Sequence, residues 1–304
     1  MVTLVRAPNP SPMTLSGTNS YVLDGGDGTA LVIDPGPAIY RHVHALIETA
    51  AAQRLTITRI ALTHGHSDHA LAAPTLAAAT GALIYAHPAS RVTRDADLPL
   101  EAGFAVGSLA LHTIDAPGHT FDHVIFYLPA ENALFTGDTI LGEGTTVIAP
   151  PGGAMRPYQH TLQRLASEFA DARTIYGGHG PVVDDAQAKI ADYIAHRAMR
   201  EEQILMSVGE GARTIPDLVR KIYGPQPHAL WAAMARQILA HLLALQAEGR
   251  VVARPRKQGL SAQEYAMLNP DLEAIVGPDE AAALAAEIGA EMRLESLDEY
   301  TLVC

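Results

Sequence analysis

The amino-acid sequence predicts an α/β protein with a large domain followed by a smaller, mainly helical module. The 304 residues are 48% hydrophobic and 18% charged, a composition typical of globular proteins. Strand patterns alternate with amphipathic helical patterns up to about residue 208, and two helical patterns with one short strand follow. We therefore assign residues 1–208 to the large domain, residues 209–258 to the second module and residues 259–304 to a C-terminal extension of unknown role.

The large domain begins with a hairpin pattern. SYVLD and ALVID, joined by the turn GGDG, predict two antiparallel strands over residues 20–34. Apolar residues then recur at helical spacing over 39–54, and a strand is expected through Ile60 and Leu62. A helix is expected over 68–81 with Asp68 in its first turn. The later predicted elements are strands near 83–86, 104–114, 123–128 and 133–136, a helix over 156–171, a strand over 174–176 and a helix over 184–208.

The second module differs in pattern and in charge. TIPDLVRKIYG and HALWAAMARQILAHLLALQAEG predict two helices, and RVVARPRKQG predicts a strand that ends in a basic turn. Helix, helix and basic hairpin resemble a winged-helix module. The net charge of −12 divides into −8 for the large domain, +5 for the second module and −9 for the extension. The extension contains one further helical pattern over 279–292, DEAAALAAEIGAEM.

Four strand patterns each end in a short loop that carries imidazole or carboxylate groups. These loops lie in LTHGHSDHA, PGHTFDH, FTGD and YGGHGP, and they supply His64, His66, Asp68, His69, His119, Asp138 and His179. Sheets of α/β proteins bind ligands at strand ends, so we expect these seven groups to meet. One HxH pair alone is more often a solvated loop, and Asp68 alone would be an ordinary helix cap. Four strand-end loops that each carry such groups by chance are much rarer than one.

Five imidazoles and two carboxylates are too many ligands for one tetrahedral ion and enough for two. We assign His64, His66 and His119 to a first metal position and Asp68, His69 and His179 to a second, with Asp138 bridging them. The only cysteine is Cys304, so the ligand set contains nitrogen and oxygen alone. This set favours two Zn²⁺ ions per chain and permits Fe or Mn.

Asp68 and His123 are the candidate catalytic residues. Asp68 is expected to move protons beside the second metal. His123 begins the strand that follows His119, and it either contacts substrate or supports a ligand, with simple strand capping as the alternative. The Gly/Pro-rich segment 148–158 is expected to form a loop over the site from which Arg156 contacts the substrate; the alternative is an ordinary connection. The histidines on helical patterns, including His42, are assigned to packing or to the surface.

HGHSDH, followed by His119, Asp138 and His179 in this order, resembles the HxHxDH signature of the metallo-β-lactamase superfamily over about residues 15–200. This resemblance implies an αββα sandwich with a dinuclear zinc site at one edge of its two sheets. GTNSYVL, IDPGP, FTGDTILGEGTTVI, IYGGHGPVV and YIAHRAMREEQIL are similar to the β-lactamase-like endoribonuclease group. That closer resemblance implies cleavage of single-stranded RNA.

Two substrate classes remain open. The first is a phosphodiester, with single-stranded RNA as the leading candidate, and the second module would supply a basic surface that includes Arg250, Arg254, Arg256 and Lys257. The second is a small thioester, lactone or β-lactam, which suits the acidic overall charge. A DNA-binding regulator with an inert hydrolase domain is a third hypothesis, and the complete ligand set argues against it.

The sequence also limits location and partners. No segment has the pattern of a secretion signal or a membrane span. We therefore expect a cytoplasmic protein without a membrane partner, and we leave homodimer formation open.

Overall fold

The computed structural model describes residues 1–269 and 298–303. The chain divides into two compact units. The first contains residues 1–146 and 164–190, and the second contains the described residues of 147–163 and 191–304. The helix predicted over 279–292 lies outside the described residues.

Two β-sheets form the framework of the first unit. The six-stranded sheet has the order β1-β2-β3-β4-β5-β6, with β1 (Val2–Arg6), β2 (Asn19–Asp24), β3 (Thr29–Ile33), β4 (Thr56–Ala61), β5 (Leu83–Ala86) and β6 (Ala96–Asp97). The five-stranded sheet has the order β11-β10-β9-β8-β7, with β7 (Ala102–Val106), β8 (Leu109–Asp115), β9 (Val124–Leu128), β10 (Ala133–Gly137) and β11 (Thr174–Gly177). Antiparallel pairing of Tyr21 with Ile33 confirms the predicted hairpin.

The strand β3 shows why the apolar run ALVI is buried on both sides. Successive side chains of a strand point to opposite faces of the sheet. Leu31 therefore joins the core between the two sheets, together with Phe126 of β9 and Phe135 of β10. Val32 joins the core under the helices α1 (Tyr40–Ala52) and α3 (Ala73–Thr80). The first unit thus has a helix layer on the six-stranded sheet and a second apolar layer between the sheets.

The prediction of a single helix over 68–81 is wrong. The structure has two short helices, α2 (Ser67–Ala70) and α3, separated by Leu71 and Ala72. Pro74 explains the interruption, because proline has no N–H for the preceding turn and is tolerated only near a helix start. The predicted helices over 156–171 and 184–208 are observed as α4 (Met155–Glu168) and α5 (Ala186–Gly209), and each contributes residues to both units.

The second unit contains the predicted helices and strand of the winged-helix pattern. They are α6 (Ile215–Tyr223), α7 (His228–Ala247) and β12 (Val251–Pro255). The prediction of a local basic hairpin is wrong, because β12 pairs with β13 (Asp298–Leu302) from the C-terminal segment. After β12 the chain enters α8 (Ala262–Leu268) instead of turning back, and Arg256 is ion-paired with Glu264 at 2.8 Å.

The described part of the predicted extension belongs to the core of the second unit. Met267 and Leu268 of α8 and Tyr300 of β13 pack in one cluster with Ile215 and Ile238. The apolar core of the second unit thus includes residues beyond position 258. Among the helices of the described residues, none combines the length and hydrophobicity needed to cross a lipid bilayer.

His42 on α1 is a buried histidine that serves packing, as its helical position predicts. Its Nε2 lies 2.8 Å from Ser20 Oγ, and its side chain is almost fully buried. Burial lowers the pKa of His42 to about 4, because the charged form is poorly solvated there. The folded protein therefore keeps this ring neutral under conditions that protonate it in the unfolded chain.

Replacing His42 by Gln should weaken the pH dependence of stability. The unfolded chain takes up a proton near pH 6.5 and the folded chain only near its lowered pKa, so this group destabilises the fold as pH falls through that interval. The free energy of unfolding in urea should therefore fall less between pH 7.5 and pH 5 in His42→Gln, by on the order of 1 kcal/mol. His44→Gln, on the exposed side of α1, controls for loss of an imidazole. Equal pH dependence in wild type and His42→Gln would contradict this account.

Candidate metal centre

The structure brings all seven predicted side chains together at one edge of the two sheets of the first unit. The segment after β4 carries four of them, and one follows each of β8, β10 and β11: His64, His66, Asp68 and His69, then His119, Asp138 and His179. Within this assembly, three overlapping groups of three side chains each have ligand atoms close enough to hold a metal ion, and the third group, His64, His69 and Asp138, shares its histidines with the two described next.

The first group consists of His64, His66 and His119. His66 Nδ1 lies 2.9 Å from His64 Nε2 and 3.1 Å from His119 Nε2. The three ring nitrogens therefore converge on one point. These are the residues assigned by sequence to the first position.

The second group consists of Asp68, His69 and His179. Asp68 Oδ2 lies 3.2 Å from His179 Nε2 and 3.5 Å from His69 Nε2. Asp138 lies beside both groups. Its Oδ1 is 3.4 Å from the Nε2 atoms of His69 and His179, and its Oδ2 is 3.7 Å from His119 Nε2.

These separations suit ligands of a tetrahedral cation. Zinc–nitrogen bonds near 2.0–2.1 Å place two ligand atoms about 3.3 Å apart at the tetrahedral angle. In addition, His69 Nε2 and Asp138 Oδ1 are shielded from solvent and make no hydrogen bond in the described part of the chain. Buried polar atoms are normally satisfied, so two unsatisfied atoms that face each other fit a site for a cation.

The two groups differ in their proton affinity. Burial and the neighbouring imidazoles lower the pKa of His64 well below its ordinary value, and they lower that of His66 to about 4. Burial also acts to lower the pKa of His179, but Asp138 and Asp68 raise it to about 10. Asp68 and Asp138 likewise raise the pKa of His69 against the effect of its burial. His64 and His66 of the first group thus offer neutral ring nitrogens, and the second group attracts positive charge.

Sequence reasoning missed Asp34, which orients two of the histidines. Asp34 Oδ2 accepts a hydrogen bond from His69 Nδ1 at 2.8 Å and another from Thr63 Oγ1 at 2.6 Å. The Thr63 hydroxyl in turn lies 3.0 Å from His64 Nδ1. This arrangement leaves the Nε2 atoms of both rings free to act as ligands. In the sequence, Asp34 follows the strand β3 and precedes Pro35 and Gly36, a pattern that predicts a turn and not a support for metal ligands.

Two glycines permit the close packing of the cluster. A Cβ on Gly178 would lie 2.4 Å from Asp138 Oδ1 and 2.6 Å from His69 Cε1. A Cβ on Gly137 would lie 2.5 Å from Thr63 Oγ1, and this residue also has a positive φ of 45°. Any side chain at either position would displace a group of the cluster.

His123 lies behind the cluster and not at its surface. Its side chain is fully buried, and its ring stacks on that of His64 with a centroid distance of 4.9 Å. Its Nε2 accepts a hydrogen bond from the backbone N–H of Asp138 at 3.2 Å. Of the two predicted roles, direct contact with substrate does not fit this burial, whereas support of Asp138 does.

Arg156 is placed differently from the predicted substrate-contacting loop. It lies on α4 in the second unit, and its guanidinium pairs with Glu201 at 2.5 Å and with Glu248 at 2.5 Å. It also donates to Gln159 Oε1. These acceptors occupy most of the donors of the guanidinium, so the structure shows Arg156 in ion pairs within the second unit, and its contact with substrate stays a prediction.

The family comparisons agree with this architecture. The model of the metallo-β-lactamase superfamily matches residues 13–179, and the model of the β-lactamase-associated winged helix domain matches residues 214–258. The chain belongs to the metallo-β-lactamase superfamily and is a hydrolase of that fold. The predicted fold class, with its C-terminal winged helix, is confirmed.

Individual proteins resemble the chain over most of its length. It is 35% identical over 265 residues to the β-lactamase-like protein 2 homolog of Caenorhabditis elegans, covering 84% of this chain and 86% of the relative. It is 31% identical over 272 residues to an atrochrysone carboxyl ACP thioesterase of Aspergillus aculeatus, covering 83% of each. A solved metallo-β-lactamase family protein from Thermus thermophilus superimposes with a TM-score of 0.70 at 22% identity, covering 83% of this chain and 95% of the other. The last similarity shows the fold alone.

Replacing Asp34 by Asn should weaken metal binding without removing a ligand. Asp34 Oδ2 accepts from His69 Nδ1 and Thr63 Oγ1, and Oδ1 accepts from the backbone N–H of Thr63 at 2.7 Å, so the NH2 group of an amide would face one of these donors without an acceptor. Loss of such a supporting carboxylate typically lowers metal affinity about 10–100-fold. Zinc affinity is measured by competition with a chelator, and Thr63→Ser, which keeps the hydroxyl, is the matched control. Unchanged affinity in Asp34→Asn would contradict the role given to Asp34.

Proposed function

We propose that this chain is a hydrolase that works with two divalent metal ions, with Zn²⁺ as the first candidate and Fe or Mn as alternatives. His64, His66 and His119 would hold one ion, and Asp68, His69 and His179 would hold the other. The position of Asp138 carries the proposal, because one carboxylate oxygen faces each group of ligands. A bridging carboxylate has little purpose in a site for a single ion.

The chemistry of the site follows from this ligand set. Two such metals, when bound, lower the pKa of water to near neutrality and polarise a substrate oxygen. Asp68 is 17% exposed and accepts a hydrogen bond from Thr18 Oγ1 at 3.4 Å. In this proposal its carboxylate takes a proton from the attacking water and returns it to the leaving group. No serine or cysteine nucleophile is needed.

For the substrate, we propose a phosphodiester, with single-stranded RNA as the leading candidate. The resemblance of five sequence segments to the β-lactamase-like endoribonuclease group supports this choice. Two metal positions with nitrogen and oxygen ligands also suit a phosphoryl group, whose charge spreads over several oxygens during in-line displacement.

A thioester is the second candidate, and two observations favour it. Two relatives are named as atrochrysone carboxyl ACP thioesterases, each at 31% identity. The basic strand of the second unit is also partly neutralised. Arg250 pairs with Glu201 at 2.7 Å, Arg256 pairs with Glu264 at 2.8 Å, and Arg254 lies opposite Glu299 in the β12–β13 ladder. The second unit thus offers less positive charge to a phosphate backbone than the net charge of +5 for residues 209–258 suggests.

One panel of substrates tests the proposed function. The purified protein is assayed with labelled single-stranded RNA, a generic phosphodiester, an acyl thioester and a chromogenic cephalosporin. RNA should be preferred by about a hundredfold or more, with rates that fall as salt rises. Asp138→Asn should lose bound metal and at least about a thousandfold in activity, because it removes the bridging charge.

The outcomes of this panel are distinct. A preference for the thioester that is indifferent to salt would favour the second candidate. Full activity after complete chelation of metal would contradict the metal-dependent mechanism for either substrate.

Substitution of His123 should lower turnover because it disturbs Asp138, while the content of bound metal stays unchanged. His123→Leu removes the acceptor of the Asp138 N–H while retaining bulk, and His123→Gln restores an acceptor. We expect the Leu variant to lose about tenfold in kcat with little change in KM, and the Gln variant to recover most of it. Zinc content should stay at the wild-type level in both. Equal kcat in the Leu variant and wild type would contradict the positioning role.

A further inference from the structure

The segment 177–180 at the end of β11, which carries His179, has little means of fixing its own conformation. Its other three residues are glycines, and glycine loses more conformational freedom on folding than any other residue. The packing requires these glycines. At Gly180, for example, φ is +83° and a Cβ would lie 2.7 Å from the backbone nitrogen of Glu143. The segment must therefore be held by groups from other parts of the chain.

Asn19, the first residue of β2, holds this segment on both sides of His179. Its Nδ2 donates to the carbonyl oxygen of Gly177 at 3.0 Å and to that of Gly180 at 2.9 Å. Its backbone N–H donates to the carbonyl oxygen of Gly178 at 2.7 Å. One residue of the six-stranded sheet thus binds the three glycines that surround a metal ligand of the other sheet.

The amide of Asn19 is itself fixed in orientation. Arg6 Nε donates to Asn19 Oδ1 at 3.1 Å, so the Nδ2 donors face the segment. Tyr21, on the same face of β2, adds a hydrogen bond from its hydroxyl to the carbonyl oxygen of Gly177 at 2.6 Å. Asn19 and Tyr21 are almost fully buried. Because a buried carbonyl without its donor is costly, these bonds favour one conformation of the segment.

The two residues before Asn19 contact the second group of ligands directly. The carbonyl oxygen of Gly17 accepts a hydrogen bond from His179 Nδ1 at 3.4 Å, which leaves Nε2 as the ligand atom. Thr18 Oγ1 donates to Asp68 Oδ2 at 3.4 Å. Three consecutive residues therefore support two ligands of the second group.

This support differs from that given by Asp34. Asp34 reaches both groups, because it accepts from His69 and, through Thr63, contacts His64. Asn19 reaches the second group, through His179. The two metal positions should therefore respond differently when Asn19 is changed.

We propose that Asn19 is a positioning residue for His179, and that Gly17, Thr18 and Asn19 form a support for the second metal position that is separate from the support of the first. The proposal rests on the two metal positions of the proposed function. It also accounts for the segment GTNSYVL, in which these three residues are consecutive.

The experiment measures the two successive zinc affinities of the full chain by competition with a chelator. Asn19→Leu keeps the branching and approximate size of the side chain and removes its donors and acceptor. His179→Ala removes the ligand through which Asn19 acts, and the double variant completes a mutant cycle. Tyr127→Phe is the control for the loss of a hydrogen bond in the same unit, since Tyr127 donates to Asp171 at 2.9 Å near the far end of β9 from His123.

Asn19→Leu should weaken the binding of one zinc ion by about 10–100-fold and leave the affinity for the other unchanged. His179→Ala should weaken the same ion, and the double variant should bind that ion no more weakly than His179→Ala does. Tyr127→Phe should bind both ions as wild type does. Tyr21→Phe, which keeps the Asn19 donor to Gly177, should weaken the same ion by a smaller factor. It serves as the test if Asn19→Leu does not fold.

Three results would overturn the proposal and leave the proposed function intact. The first is wild-type affinity for both ions in Asn19→Leu, or in Tyr21→Phe if Asn19→Leu does not fold. The second is equal weakening of both ions, which would indicate a general structural role. The third is an additive loss in the double variant, which would show that Asn19 does not act through His179. A wild type that binds fewer than two zinc ions would contradict the proposed function itself and, with it, the support of a second position.

Discussion

The buried carboxylate of Asp34 is the constraint on which the geometry of the candidate metal centre depends. It accepts from His69 directly and reaches His64 through the Thr63 hydroxyl. One carboxylate thereby sets the ring orientation of a residue in each group of ligands. The Nε2 atoms are left pointing to the centre, so the geometry is fixed before any cation arrives. Burial and neighbouring charges shift the pKa values of these histidines, but they do not orient the rings. The orientation comes from Asp34.

The two sheets are held at the distance that this cluster requires. The backbone N–H of Val124, at the start of β9, donates to the carbonyl of Thr63 at 2.6 Å. This bond ties the five-stranded sheet to the segment that carries His64. Glycines at 137 and 178 then allow strands of that sheet to approach the imidazoles without a clash. The fold supplies rigidity, and short loops at the strand ends supply the chemistry.

Much of this arrangement was predictable because its signals are local. Each ligand sits in a loop directly after an apolar strand, so His119 and His179 were identifiable without knowledge of the fold. Asp34 was not, because its partners lie 29 and 35 residues away and its own neighbourhood resembles a turn. The ion pairs of Arg156 were not identifiable for the same reason, since its glutamates are 45 and 92 residues distant along the chain. The strand β12 has no partner nearby in the sequence, because its partner β13 comes from the C-terminal segment. Long-range pairing of this kind leaves no pattern in one sequence.

Anomalous diffraction from crystals grown with zinc would locate the bound ions. We expect two peaks per chain, one among His64, His66 and His119 and one among Asp68, His69 and His179, with Asp138 in contact with both. A single peak, or peaks away from these side chains, would contradict the proposal of two metal positions.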